Sequence, residues 1–269
     1  MYGACDALIV NDNSPEPSPH SGVLRSSAFA TGGALIVDRT AFRDFSTARN
    51  ICLDLHRSHD AGAWAAFVDA DEVHGAAVGR IAVRLDRVPE SFDCVDGFTW
   101  HFFQSFDWYR SIERRMMFFR VREGARWEGA VHERLVGLAG KRLALPYVYG
   151  HYGWVLPVRR QAEKGRLYSR LGAPGPIVPE EHLDAIDRRF YFRKWWCDAM
   201  LFHGQHPLAA GDTIGRLRRE YDSEFAEADR WIREHQTLRD RIRNAVRRLN
   251  YEQRWRSRVL DPLARSVSW

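Results

Sequence analysis

Apolar and polar positions change rhythm along this chain, and each change predicts a different kind of element. DALIVN at 6–11 is a short β-branched run closed by DNSPEPSP at 12–19, whose Pro, Asn and Ser residues predict a turn. A second run, ALIVD at 34–38, follows after about one helix of chain. Helical spacing then takes over in FSTARNICLDLHRSH at 45–59, where Ala48, Ile51, Cys52 and Leu55 share one face. Ser46 or Thr47 is placed to cap that helix. WAAFVDADE at 64–72 reads as an apolar strand running into three carboxylates. Strand, helix, strand, helix, strand predicts an α/β fold with parallel neighbours in the sheet. Ligands gather at the carboxyl ends of such strands, so Asp12 and the Asp69/Asp71 pair are expected to line one crevice.

From about 92 to 155 the texture shifts to aromatic and β-branched runs, FTWHFFQSF, RRMMFFRV and ALPYVYGHYGW, which predict antiparallel or mixed strands. Residues 157–171 read as a helix, and GAPGPIVPEEH at 172–182 as a Pro/Gly-rich break. The expected division is a main domain over 1–171 and a helical extension over 172–269. Within the extension, Leu217, Tyr221, Phe225, Ala228, Ile232, Leu238, Ile242, Val246 and Leu249 recur at helical spacing. That stripe predicts a helix or helix pair packing its apolar face on the main domain.

Composition narrows the class. The 269 residues are 45% hydrophobic, 13% aromatic and 28% charged, which excludes wholesale disorder and supplies a sizeable core. No apolar stretch approaches the length of a membrane span, and no basic segment precedes the first apolar run as in a secretory signal. Cys5, Cys52, Cys94 and Cys197 lie far apart with no CxxC pair, which argues against a thiolate zinc site and fits a reducing cytoplasm. The net charge of +5 is carried unevenly: residues 213–258 hold 13 Arg and 8 acids, so the remainder sums to zero. A neutral body argues against nucleic-acid binding. The eight Arg and two acids of 239–258 leave two readings open, contact with an anionic membrane surface or pairing with acids of the body.

The strongest local signal is FVDADEVHG at 67–75. Burying Asp69, Asp71 and Glu72 together is costly unless a cation or hydrogen bonds compensate. Strand alternation would aim Asp69 and Asp71 to one side, and hard carboxylate oxygens suit Mg²⁺ or Mn²⁺ bridging to phosphate. The bland alternative is a solvated acidic turn. His203 and His206 have a spacing seen in metal sites but no carboxylate or thiol neighbour in sequence, so they carry no expectation. The aromatic run at 98–109 reads mostly as core, with Trp100 or Trp108 the best candidate for an exposed sugar-stacking ring.

Four stretches stand together in order: Phe42 to Asn50 (FRDFSTARN), Trp64 to Glu72, Gly129 to Glu133 (GAVHE) and His151 to Gly153 (HYG), followed by KGRLYSRL. This set resembles the family 2 glycosyltransferases of the GT-A fold, over residues 1 to about 170. The resemblance implies a GT-A-like mixed sheet with flanking helices and a nucleotide-diphosphate sugar donor. It also implies a glycan or lipid-linked acceptor and a Mn²⁺ or Mg²⁺ cofactor. The family's first strand–helix unit would precede the DNS turn, so the resemblance implies a domain that is N-terminally short. Carried over residue by residue, Asp12 and Asn13 would contact base or ribose, and Arg49 the nucleotide or its phosphates. Asp69 would touch the ribose or a metal-bound water, and Asp71 would bind the metal. His151 would complete that site or meet the diphosphate. Glu133 would be the general base, with Glu128 and then Asp96 behind it, and His132 would position the acceptor. Each has a structural alternative: a salt bridge for Arg49, a polar strand end for His132 and Glu133, a hydrogen-bonded ring for His151.

Two rivals remain at this point. A nucleotidyltransferase would also use acidic strand ends and a divalent ion, but should open on a Gly-rich loop with basic residues, which is not found. A degenerate glycan-binding or scaffold protein is the non-enzymatic alternative.

Overall fold

The computed structural model of the chain describes residues 5–59, 63–173, 179–185 and 196–268. Two long strands organise it. β5 (Phe92–Phe103) and β6 (Ser105–Arg120) pair antiparallel about Gln104, which turns at φ 63°. The other edge of β5 takes β9 (Lys141–Trp154) in parallel, and β9 takes β4 (Glu72–Val73) antiparallel. The outer edge of β6 is shared by two short strands. β3 (Trp64–Ala66) lies along its Phe118–Arg120 end and β10 (Met200–Leu201) along its Trp108–Tyr109 end. The result is an α/β fold with a mixed, open, six-stranded sheet and flanking helices.

β5 is buried almost throughout, which is why its sequence shows no polar alternation. One apolar cluster joins Val95, Leu143 and Leu145 to Val78 and Ile81 of α4 (Ala77–Ala82) and to Ala264 and Val267 of α9 (Pro262–Ser268). A second joins Phe98, Phe102, Phe106 and Ile112 to Ile214 of α6 (Gly211–Glu220) and Phe225 of α7 (Asp222–His235). The segment 196–268 therefore contributes both a strand and core side chains to the main body. Of the expected break at 172–182, residues 174–178 lie outside the described residues.

Strands β1 (Leu8–Asn11) and β2 (Leu35–Asp38) are parallel, as the strand–helix–strand rhythm predicts, with α1 (Ser21–Arg25) and α2 (Ala28–Thr31) between them. They form a sheet of their own, however. The third strand of that reading is cut to Trp64–Ala66 and pairs antiparallel with β6. Chain reversal ends it: Glu72 N–H donates to the Asp69 carbonyl at 2.9 Å, while Asp69 N–H donates to the Glu72 carboxylate at 3.2 Å. Three carboxylates are accommodated by a turn rather than by a buried strand.

The helix expected at 45–59 is α3 (Phe45–Ser58), but its cap is Asp44. The Asp44 carboxylate accepts from Thr47 N–H at 2.7 Å, and the Ser46 and Thr47 hydroxyls donate to it at 2.8 and 2.9 Å. The helix read at 157–171 is α5 (Val158–Arg170). The apolar stripe of the extension splits in two. Phe225, Ala228 and Ile232 of α7 are buried as expected, whereas Leu238, Ile242, Val246 and Leu249 of α8 (Leu238–Arg256) face solvent. The expectation that this part of the stripe packs on the body is overturned: the buried position of α8 is the polar Asn244, held by backbone carbonyls. Among the described residues, no helix is long and apolar enough to cross a membrane.

Candidate functional site

The pairing of β4 with β9 builds the site. Its register sets Glu72 opposite His151, and Tyr152 N–H donates to the Asp71 carbonyl at 2.8 Å. Asp71 is thereby held beside β9, with its Oδ1 3.3 Å from His151 Nε2. Its Oδ2 lies 3.2 Å from Lys164 Nζ, which projects from α5 and also donates to the Gly153 carbonyl at 2.9 Å. Glycine at 153 leaves room for this arrangement, since a Cβ there would stand 2.3 Å from Asp71 Oδ2 and push the side chains apart. Burial alone would raise the Asp71 carboxyl, but His151 and Lys164 outweigh it and hold the group well below the usual carboxylate range.

Arg49 organises the other half. Its guanidinium lies 3.8 Å from the Phe67 ring centre and 4.7 Å from that of Trp127. Nη2 contacts Asp69 Oδ1 at 3.0 Å and Glu133 Oε1. The next residue, Asn50, ties α3 to β7 (Arg126–Glu128): it donates to the Trp127 carbonyl at 2.9 Å and accepts from Trp127 N–H at 2.8 Å. Glu133 follows the connection from β7 to β8 (Arg134–Val136), where Gly129 and His132 take φ of 102° and 55°. Asp69 differs from Asp71, since burial pushes its carboxyl up despite the opposing Arg49 charge. Alternation does not aim Asp69 and Asp71 at one point; the turn gives each its own cation.

Three carboxylates (Asp69, Asp71, Glu133) thus meet the Arg49 guanidinium, the Lys164 ammonium and the His151 ring. His151 Nε2 faces Asp71 Oδ1 directly, and only with its Nε2 hydrogen given up would the ring offer a nitrogen ligand beside that oxygen. Among the described residues there is no group of three His, Cys, Asp or Glu side chains arranged to hold a metal. A Mg²⁺ or Mn²⁺ held by Asp71 and His151 would take its other ligands from substrate phosphate and water.

Sequence reasoning missed a row of side chains running from this point across the sheet. His151 Nδ1 lies 3.2 Å from His101 Nδ1 on β5, and His101 Nε2 lies 3.3 Å from Glu113 on β6. Burial lowers the His101 pKa, while the contact with His101 holds Glu113 down to about 2. The two facing Nδ1 atoms share one hydrogen, so one ring donates and the other accepts. His101 lay hidden in a run read as core. KGRLYSRL stands in the motif set as a Lys-bearing helix without a role for its lysine; the structure puts Lys164 on Asp71, with the Tyr168 ring centre 5.9 Å from its Nζ.

Other expected residues fall outside this cluster. Asp12 follows β1; its carboxylate accepts from Ser18 Oγ and Ser14 N–H, and these hydrogen bonds, with a smaller share from the paired Arg39, pull its pKa down to about 2. Asn13 is exposed and donates to Asn11 Oδ1 at 3.1 Å. No hydrogen bond or ion pair among the described residues joins Asp12 or Asn13 to Asp69 or Asp71. His132 is exposed. Glu128 pairs with Arg126 in solvent, and Asp96 is fully buried between Arg114 and Arg142 at 2.6 and 2.7 Å, so neither reaches the cluster. Trp108 is not an exposed ring: it is 4% exposed and donates to Asp229 at 2.6 Å. Trp100 packs on Tyr109 and Phe202, and His206 bonds Tyr152 at 2.8 Å within the same aromatic core.

Compared with known protein families and with curated proteins, the sequence matches none of them.

Proposed function

We propose that the chain is a cytoplasmic, metal-dependent, inverting glycosyltransferase of GT-A type that uses a nucleotide-diphosphate sugar. One observation carries this reading. Four stretches that are far apart in sequence meet at the two sides of one turn: Asp69 faces Arg49, which also holds Glu133, and Asp71 faces His151 beside Gly153. A merely solvated acidic turn would not recruit a guanidinium, an imidazole and an ammonium from three other elements.

In this reading Asp71 and His151 would hold a Mg²⁺ or Mn²⁺, whose chemistry there would be to supply positive charge to a diphosphate leaving group. Lys164, already on Asp71 Oδ2, adds a second cation beside that position. Arg49 grips Glu133 at Oε1 and fixes its orientation, leaving Oε2 to take the acceptor's proton. As the proton passes to Glu133, the acceptor oxygen bonds to the anomeric carbon. The bond from that carbon to the diphosphate oxygen breaks, and its electron pair leaves with the nucleotide. Asn13, exposed beside the loop that Asp12 holds in shape, is the group a base or ribose would meet, with a glycan or lipid-linked acceptor arriving from the His132 side.

Calorimetric titration with a set of nucleoside diphosphates, with and without Mn²⁺, tests the reading. At least one should bind in a Mn²⁺-dependent manner, and Asp71→Ala should abolish that dependence while leaving the circular dichroism unchanged. Absence of binding by every nucleotide, or unchanged affinity in Asp71→Ala, would overturn it.

A further inference from the structure

Helix α8 is mounted with its polar face inward. Asn244, 4% exposed, donates to the carbonyls of Cys197 and Ala199 at 2.9 and 3.0 Å. On the same side Arg247 reaches Asp198 at 2.7 Å and the Arg110 carbonyl at 3.1 Å. The opposite face carries Leu238, Ile242, Val246 and Leu249 at steps of four, four and three, exposed by 74, 58, 53 and 61%. An amphipathic helix on a globular body ordinarily buries such a stripe.

The flanks of the stripe are cationic. Arg243 pairs with Asp198 and Asp240, and Arg256 with Glu252. Among the described residues Arg239, Arg248, Arg254 and Arg258 hold no carboxylate. On the Asn244 side of the helix a cleft of about 390 Å³ opens between α7, α8 and β10, lined among others by Arg233, Arg241 and Arg248. Arg233 is engaged by Asp229 at 2.9 Å, and Arg241 donates to the Arg233 carbonyl at 2.9 Å. Arg248 makes no hydrogen bond or ion pair among the described residues.

We propose that α8 is a membrane-surface helix. It lies on an anionic bilayer with Leu238, Ile242, Val246 and Leu249 at the acyl boundary. Its unpaired arginines meet lipid phosphates. Aliphatic centre and cationic rim are the two features that such surfaces select together. A second copy of the chain fits poorly, because an isologous contact would set arginines against arginines. The acids on this helix, Asp240 and Glu252, are already paired within it. Nucleic acid would leave four aliphatic side chains facing phosphodiesters. The proposal stands independently of the chemistry assigned to the Asp71 site.

Sedimentation of the full chain with phosphatidylcholine vesicles, with and without phosphatidylglycerol, tests it at low and high salt. Binding should require phosphatidylglycerol and weaken with salt. It should fall roughly tenfold or more in Ile242→Ser/Leu249→Ser, in Leu238→Ser/Val246→Ser and in Arg239→Gln/Arg248→Gln. All six side chains lie outside the core, so the melting temperatures should match the parent. Failure of the parent chain to sediment, or retention of binding in both serine variants, would overturn the proposal. Two other results would also overturn it when vesicle binding is absent. One is concentration-dependent dimerisation lost in the serine variants, which assigns the face to a second copy. The other is capture of a labelled oligonucleotide lost in the glutamine variant.

Discussion

At the scale of single residues, the two aspartates of the DAD turn are opposites. Asp71 is surrounded by His151 and Lys164 and stays ionised, whereas burial raises the Asp69 carboxyl above its unfolded value. The sign of the linkage follows from that direction. A carboxyl with a raised native pKa binds more protons folded than unfolded, so its contribution is fully present below the unfolded pKa. It is lost as pH rises through the native pKa. Asp69→Asn removes this penalty, and Arg49 keeps Glu133 and its two aromatic rings. The variant should be at least as stable as the parent at pH 7, with a gap that widens from pH 4 upward by at most about 1.4 kcal/mol per pH unit. Urea midpoints measured across that range check it. A parent that is the more stable of the two at neutral pH would show that Asp69 is held by its ion pair and not merely tolerated.

At the scale of elements, α3 is the part whose position matters most, because one face meets β1 while Arg49 and Asn50 reach the DAD turn and β7. Its first turn depends on the Asp44 carboxylate, which accepts from Thr47 N–H and from two hydroxyls. Asp44→Ala should cost about 1 kcal/mol of stability, the usual worth of an N-cap, and Asp44→Asn distinctly less. Thermal denaturation measures both. Equal losses in the two variants would mean that the charge, rather than the cap hydrogen bond, is what α3 uses. β9 is the second positioning element: it lines up His151 with His101 on one side and with the DAD turn on the other.

At the scale of the whole molecule, the C-terminal segment cannot be removed cleanly. Ala264 and Val267 of α9 are fully buried against Val78, Ile81 and Leu145, and Arg87 donates to the Ser266 carbonyl at 3.0 Å. Ending the chain at Leu260 exposes that core. It should cost about 2–5 kcal/mol, which for a chain of this size lowers the melting temperature by roughly 5–15 °C. Circular dichroism melting of the shortened chain is the check, and an unchanged melt would mean that α9 packs without contributing. For the same reason the Arg-rich helix is tested by point substitutions on its outer face, since truncation would confound membrane binding with unfolding.

Much was legible locally. Turn chemistry after Asn11, helical spacing in α3 and α5, the buried aromatic runs of β5 and β9 and the charge imbalance at the C-terminus are all set by neighbours in sequence, where propensity and periodicity act. Partner choice was not. Whether Trp64–Ala66 joined β2 or β6, whether Asp69 faced Asp71 or Arg49, and whether the Leu238–Leu249 stripe faced the core or water depended on contacts many residues away. A period of 3.6 places four aliphatic side chains on one face of a helix without saying which way that face points. In α8 the decision fell to Asn244, Arg247 and the carbonyls of Cys197, Ala199 and Arg110, polar groups that would be left unsatisfied if the helix were turned over.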